Sequence, residues 1–236
     1  MERKLDVGGT LSQAFSIYGS QAGVLIPVAL VLFLIVAVVN GIAAESVVLL
    51  PLGLAVSIIA GTLYTGMVVA LVSDVQDGRR DYSIGELARS ASPVILPLIG
   101  AGLLAGIGIG IGFLLLVIPG LFLMTIWAVI APVIVLERVG VMKSFGRSRE
   151  LVKGHGWQVF GVILIVFIIV VIVRAILGAI AVGIDDSTVA QIIFDWIGSS
   201  LTAPISALVA AVIYFRLKGA NDGDTPVPAD PGPATV

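Results

Sequence analysis

Few residues in this chain could do chemistry. Its 236 residues include 13 Lys or Arg, 15 Asp or Glu, one His and no Cys. The single histidine, His155, lies in Lys153-Gly154-His155-Gly156-Trp157. Without Cys or a second His it cannot build a transition-metal site, and it reads as an interfacial residue beside a belt tryptophan. No HExxH, GxSxG or phosphate-binding loop occurs. The segment Gly100-Ala101-Gly102-Leu103-Leu104-Ala105 fits a dinucleotide fingerprint only by accident, because no acidic residue follows before Glu137. No catalytic residue, cofactor or metal is therefore expected. Coupling through buried carboxylates is not expected either, since such chemistry needs ionisable groups within the apolar segments.

Three features remain as candidates, each with a plain alternative. The first is the segment from Glu137 to Lys153, with Arg138, Lys143, Arg147, Arg149 and Lys153. On a helical wheel Val141, Ser144, Phe145, Ser148, Leu151 and Val152 fill one arc and the charges fill the other. That is the pattern of a helix lying in the interface, able to hold anionic lipid headgroups or an acidic partner; alternatively it is an ordinary basic anchor. The second is the glycine stripe Gly102, Gly106 and Gly110, with Gly108 and Gly112 as a second pair. Small residues four apart let helices approach closely in lipid, either as packing in a central helix or as a flexible wall along a solute path. The third is Arg174, the one charge well inside an apolar run. Either it pairs with Glu45 or an Asp of the outer loop across a cavity, or it snorkels: 17 residues beyond Trp157 it sits about 26 Å up a helix, near the far interface.

The elements that must position these residues follow from composition. The chain is 58% hydrophobic and 12% charged, against roughly 45–50% and 25% in soluble domains. A soluble fold could not hide so much apolar surface, and a net charge of -2 argues against a nucleic-acid partner. Charge-free gaps of 38, 28, 47, 20 and 20 residues separate Asp6, Glu45 and Asp74, then Arg89 and Glu137, Lys153 and Arg174, and Asp195 and Arg216. With about 20 residues per crossing, they predict an all-α polytopic membrane bundle of six transmembrane helices, near 22–44, 48–72, 92–115, 119–137, 157–182 and 197–217. The turn inside the longest gap is placed at Ile118-Pro119-Gly120. The runs are apolar on every side, unlike alternating barrel strands. Arg3 and Lys4 mimic a signal peptide, with Ala43-Ala44 as its cleavage site, but the polar stretch before Val24 favours a retained first span. Residues 1–218 make the membrane domain, and the Pro-rich, acidic 219–236 reads as a disordered tail.

Twelve of the 13 basic residues fall on one side of this layout and only Arg174 does not. The positive-inside rule then puts both termini in the cytoplasm of a plasma membrane, and the excess of Arg over Lys fits a prokaryotic source. A short amphipathic stretch precedes each odd-numbered span: Leu11, Ala14, Phe15 and Tyr18; Ile84, Leu87, Ala88 and Ala91; and Val141, Phe145, Ser148 and Val152. Two start with a capping box, Thr10 with Gln13 and Ser83 with Glu86. The pattern predicts three repeats of an interfacial helix and a transmembrane hairpin, unless these are only the polar connectors any such protein carries.

The run Ile118-Pro119-Gly120-Leu121, Trp127-Ala128, Ala131-Pro132-Val133-Ile134-Val135-Leu136-Glu137-Arg138 and Ser144-Phe145-Gly146-Arg147-Ser148-Arg149-Glu150-Leu151-Val152-Lys153-Gly154, with Trp157 and Phe160-Gly161, resembles the family named for the membrane domain of glycerophosphoryl diester phosphodiesterases. In the fused enzymes a separate soluble barrel carries out hydrolysis. The resemblance implies a six-span module that accompanies lipid or envelope processes, and it carries over no catalytic residue. The expected function is that of a non-enzymatic scaffold or accessory module engaging anionic lipid or a membrane-protein partner at the cytoplasmic face. The alternative is a transporter or channel for a small or lipidic solute, which requires a cavity reaching the third span or Arg174.

Overall fold

The computed structural model describes residues 5–44, 46–76, 94–184 and 187–221. Within them the chain forms eight α-helices and no strand: α1 (Val7–Ala44), α2 (Leu50–Gln76), α3 (Ile95–Leu115), α4 (Val117–Ile126), α5 (Ile130–Glu137), α6 (Val141–Val152), α7 (Gly156–Ile184) and α8 (Thr188–Asn221). Counting α4 and α5 as one segment, six are long and apolar enough to cross a membrane. Leu34, Ile35 and Val38 on α1 and Phe167, Ile168 and Val171 on α7 all face outward. Helices that close their own backbone hydrogen bonds while presenting apolar side chains outward suit a lipid solvent. The chain is a polytopic helical membrane bundle. Arg3, Lys4, Glu45, Asp185, Asp186, the whole second connector (Arg79 to Ala91) and the tail beyond residue 221 lie outside the described residues.

The centre of the bundle is α8, with buried residues along most of its length from Gly198 to Leu217. The sixth span starts nine residues before the expected 197 because Ser187 caps it: its hydroxyl accepts the Ala190 N–H at 3.3 Å. As a result Asp195, expected in the outer loop, stands on the helix. Antiparallel to α8 runs α1, held by Trp196 Nε1 donating to the Leu30 carbonyl at 2.8 Å and Arg216 Nε donating to Gln13 Oε1 at 3.2 Å.

This pairing overturns the first of the three expected interfacial helices. The stretch from Leu11 to Tyr18 is part of a single 38-residue helix that runs on into the first span, about 57 Å long at 1.5 Å per residue. Thr10 and Gln13 do not form a capping box. The helix has already begun at Val7, so the Thr10 hydroxyl donates to the Asp6 carbonyl at 2.6 Å, and Gln13 is taken up by Arg216. Only the third connector, α6, is described as a separate helix, so the three units are not equivalent.

The α3–α4 turn also differs from expectation. It falls at Leu116, whose backbone is extended, and Ile118-Pro119-Gly120 instead open α4, where a proline in the first turn lacks only an N–H that has no intrahelical acceptor. Close approach holds the hairpin: a Cβ on Gly112 would lie 2.9 Å from the Gly120 Cα. The fourth span is broken at 127–129, because Pro132 has no N–H for the Ala128 carbonyl and its ring crowds that turn. The chain tightens there, with the Ala128 N–H bonding the Thr125 carbonyl and the Ile130 N–H the Trp127 carbonyl, both at 3.3 Å. Span three is not central: of α3 only Leu98, Ala101 and Gly112 are buried, and its glycines serve contacts at the edge of the bundle.

Candidate functional site

The break in the fourth span seats α6. Once the Ile130 N–H turns to Trp127, the Ile126 carbonyl is left without its helical donor. The fully buried Ser148 of α6 supplies one, its hydroxyl donating at 2.8 Å. Next to it Phe145 meets the Trp127 ring edge-on, centroids 4.9 Å apart. Ser144, Leu151 and Val152 are buried on the same arc.

On the border of that arc lies a charged cluster that bridges three helices. Arg147 Nε donates to both Glu137 carboxylate oxygens, at 3.2 and 3.0 Å, and the hydroxyl of the fully buried Tyr214 on α8 donates to Glu137 Oε1 at 3.0 Å. Glu150 adds a second anion 3.6 Å from Arg147 Nη1. The Glu137 hydrogen bond, strengthened by both carboxylates, outweighs partial burial and holds the Arg147 guanidinium above its usual range. Arg147 is thus engaged within the protein. Arg138, Lys143, Arg149 and Lys153 point outward, and none has an ion-pair partner among the described residues. Arg138 ends α5 in the left-handed region at φ 51°. After Lys153, Gly154 takes φ +88°, a turn that suits glycine. His155 then links α6 to α7: its N–H donates to the Val152 carbonyl at 2.9 Å, while its Nδ1 is buried without a hydrogen-bond partner among the described residues.

An open-sided cavity of about 400 Å³ lies between α2, α3, the α4–α5 break and α8. It is lined by 57–65 on α2, 98–109 on α3, 127–131 and 203–210 on α8, close to the midpoint of each segment. Gly102 and Gly106 form part of its wall, where they also let α3 approach α2. A Cβ on Gly102 would strike the Thr62 side chain, and one on Gly106 would lie 2.7 Å from Ile58 Cδ1. A Cβ on Gly110 would meet nothing within 4 Å, whereas one on Gly108 would lie 2.8 Å from the Trp127 ring. Of the expected stripe, then, two glycines make close contacts and line the cavity and one does neither.

Arg174 does not line this cavity. Its Nη1 donates to Asp195 Oδ1 at 2.9 Å and its Nη2 to Ser199 Oγ at 2.8 Å. The two charged side chains are 45% and 60% exposed, so the pair tethers α7 to α8 at the surface. Sequence reasoning missed the hydroxyl groups of the cavity, Ser57, Thr62, Thr65 and Ser206. Their one signal was position, as polar residues near the middle of apolar runs. It also missed Glu137 as the shared acceptor of Arg147 and of Tyr214, the latter 77 residues further along the chain. Comparison with protein-family models, characterised proteins and solved structures found no match.

Proposed function

We propose that the chain is a non-enzymatic membrane module whose helix α6 engages anionic lipid at the cytoplasmic face of a plasma membrane. The observation that carries this reading is the pinning of α6: Ser148 bonds it to α4, Arg147 to α5 and the Leu151 carbonyl, through Asn221, to α8, so Lys143, Arg149 and Lys153 are presented outward beside Arg138 at the end of α5. Near an anionic leaflet each such residue is worth about 1 kcal/mol. Beside Lys153, an apolar groove of about 670 Å³ between α4 and the start of α7, lined by Phe122, Thr125, Trp157 and Phe160 among others, has room for the acyl chain of the same lipid. The one-sided distribution of Lys and Arg supports this orientation, and the resemblance to phosphodiesterase membrane domains supports a lipid-related role. The test is retention of phosphatidylglycerol by the purified protein. Reversing Lys143, Arg149 and Lys153 to Glu together should reduce bound anionic lipid more than tenfold without changing zwitterionic lipid. Equal retention would refute the reading.

A second reading, passage of a small or lipidic solute, is favoured by the mid-bundle cavity. Because the chain has no Cys, Ser206→Cys gives a single reporter. Modification by a water-soluble maleimide in intact vesicles supports a solute path; labelling by a lipid-soluble reagent alone counts against one.

A further inference from the structure

The lining of the mid-bundle cavity restricts what it can hold, if it is a solute site as the second reading has it. None of its described lining residues is charged, and apolar side chains dominate. An ionised ligand held there, between the apolar lining and lipid on the open side, would lack the opposite charge that offsets desolvation, so the ligand is neutral. Its size is bounded as well. The volume lies within the roughly 300–1,000 Å³ of small-molecule sites. At ~30 Å³ per water-sized group it takes about 13 non-hydrogen atoms. The lined stretch of α3, from Leu98 to Ile109, is about 16 Å long at 1.5 Å per residue. Length and volume together suit one chain better than two.

The polar end of that ligand is indicated by Ser206. The hydroxyls of Ser57, Thr62 and Thr65 donate to the carbonyls of Gly53, Ile58 and Gly61 at 2.7–2.8 Å. This is the usual way a hydroxyl is satisfied within a helix in lipid. Ser206 makes no such bond. It is exposed at the middle of the most buried helix, lines the cavity, and has no hydrogen-bond partner among the described residues. An idle donor in an apolar setting costs free energy unless something binds it, and Thr62 and Thr65, which line the same cavity, keep lone pairs that can accept. We propose that the cavity binds an uncharged single-chain lipid of about a dozen carbons, with a terminal hydroxyl that exchanges hydrogen bonds with Ser206 and the α2 threonines.

The experiment uses the full-length protein in nanodiscs, with two photoactivatable probes, a diazirine-bearing dodecanol and the matching dodecanoate. The alcohol should label peptides from α2, α3 and α8 at least tenfold more than the acid. Ser206→Val, equal in shape to threonine but without the hydroxyl, should reduce labelling about fivefold, the worth of one neutral hydrogen bond, while Ser206→Thr should retain it. Ala105→Phe, which fills the cavity from α3, should abolish labelling while the protein elutes as a single species. Equal labelling by alcohol and acid, or no difference between the Val and Thr variants, overturns the proposal. The two readings can fail separately. Ser206→Cys open to the aqueous maleimide together with no alcohol labelling leaves a solute path for another ligand and removes this one. Specific labelling without transfer of the alcohol between vesicles leaves the binding site and removes transport.

Discussion

At the scale of single residues, Glu137 is the most exacting position. It accepts from Arg147 on α6 and Tyr214 on α8, so its loss leaves a guanidinium and a buried hydroxyl short of an acceptor. Glu137→Ala should lower stability by about 2 kcal/mol and Glu137→Gln by less than half of that, because the amide oxygen still accepts; thermal unfolding in detergent measures both. Arg174 and Asp195 are a contrasting case. Both are substantially exposed, and exposed pairs couple by about 0–1 kcal/mol. A double-mutant cycle with Arg174→Gln and Asp195→Asn should give under about 1 kcal/mol, falling with added salt; a larger, salt-insensitive value would place the pair in hydrocarbon. The types and spacing of Arg147 and Arg174 marked them as residues to explain. The partner of Arg147 was not legible, because Glu137 reads locally as the end of an apolar run; for Arg174 an outer-loop Asp was expected, and the structure selects Asp195 and places it on a helix, away from the cavity.

At the scale of elements, the hairpin of α3 and α4 and the seating of α6 both follow from backbone geometry. Gly112→Ala would drive a methyl into the Gly120 backbone, which cannot move aside as a side chain can. It should reduce the yield of folded protein severalfold, measured by monodisperse elution. Gly110→Ala meets nothing within 4 Å and should leave the thermal midpoint unchanged or raise it, since alanine is the better helix former. Ser148→Ala would leave the Ile126 carbonyl without its donor inside the protein. It should cost about 1–3 kcal/mol and loosen α6, visible as faster amide exchange from Val141 to Val152. The amphipathic pattern of α6 was legible because its period is that of a helix. The break that receives it was legible only in part: Pro132 marks the disturbed turn, but that Ser148 would cap the freed carbonyl depends on the path of a chain 22 residues further on.

At the scale of the whole molecule, the six apolar segments and the placing of Lys and Arg lead to one testable arrangement. A reporter fused after Val236 should read as cytoplasmic and one inserted between Asp185 and Asp186 as external. By itself the sequence determined the helical class, the number of crossings and the predicted orientation. Each is a sum over many residues: unbroken apolar length is set by bilayer thickness, and charge bias by where Lys and Arg lie along the chain. Tertiary structure decided what a one-dimensional pattern cannot carry. It made α8 rather than the glycine-rich α3 the centre of the bundle, and it extended α1 past its expected start because a long antiparallel partner lies along it. It also turned Arg147 inward, left Lys143, Arg149 and Lys153 facing out, and opened a cavity beside Ser206. These outcomes depend on which helix lies against which. In an apolar chain whose spans look much alike, that choice rests on a few small residues and hydrogen bonds between distant segments.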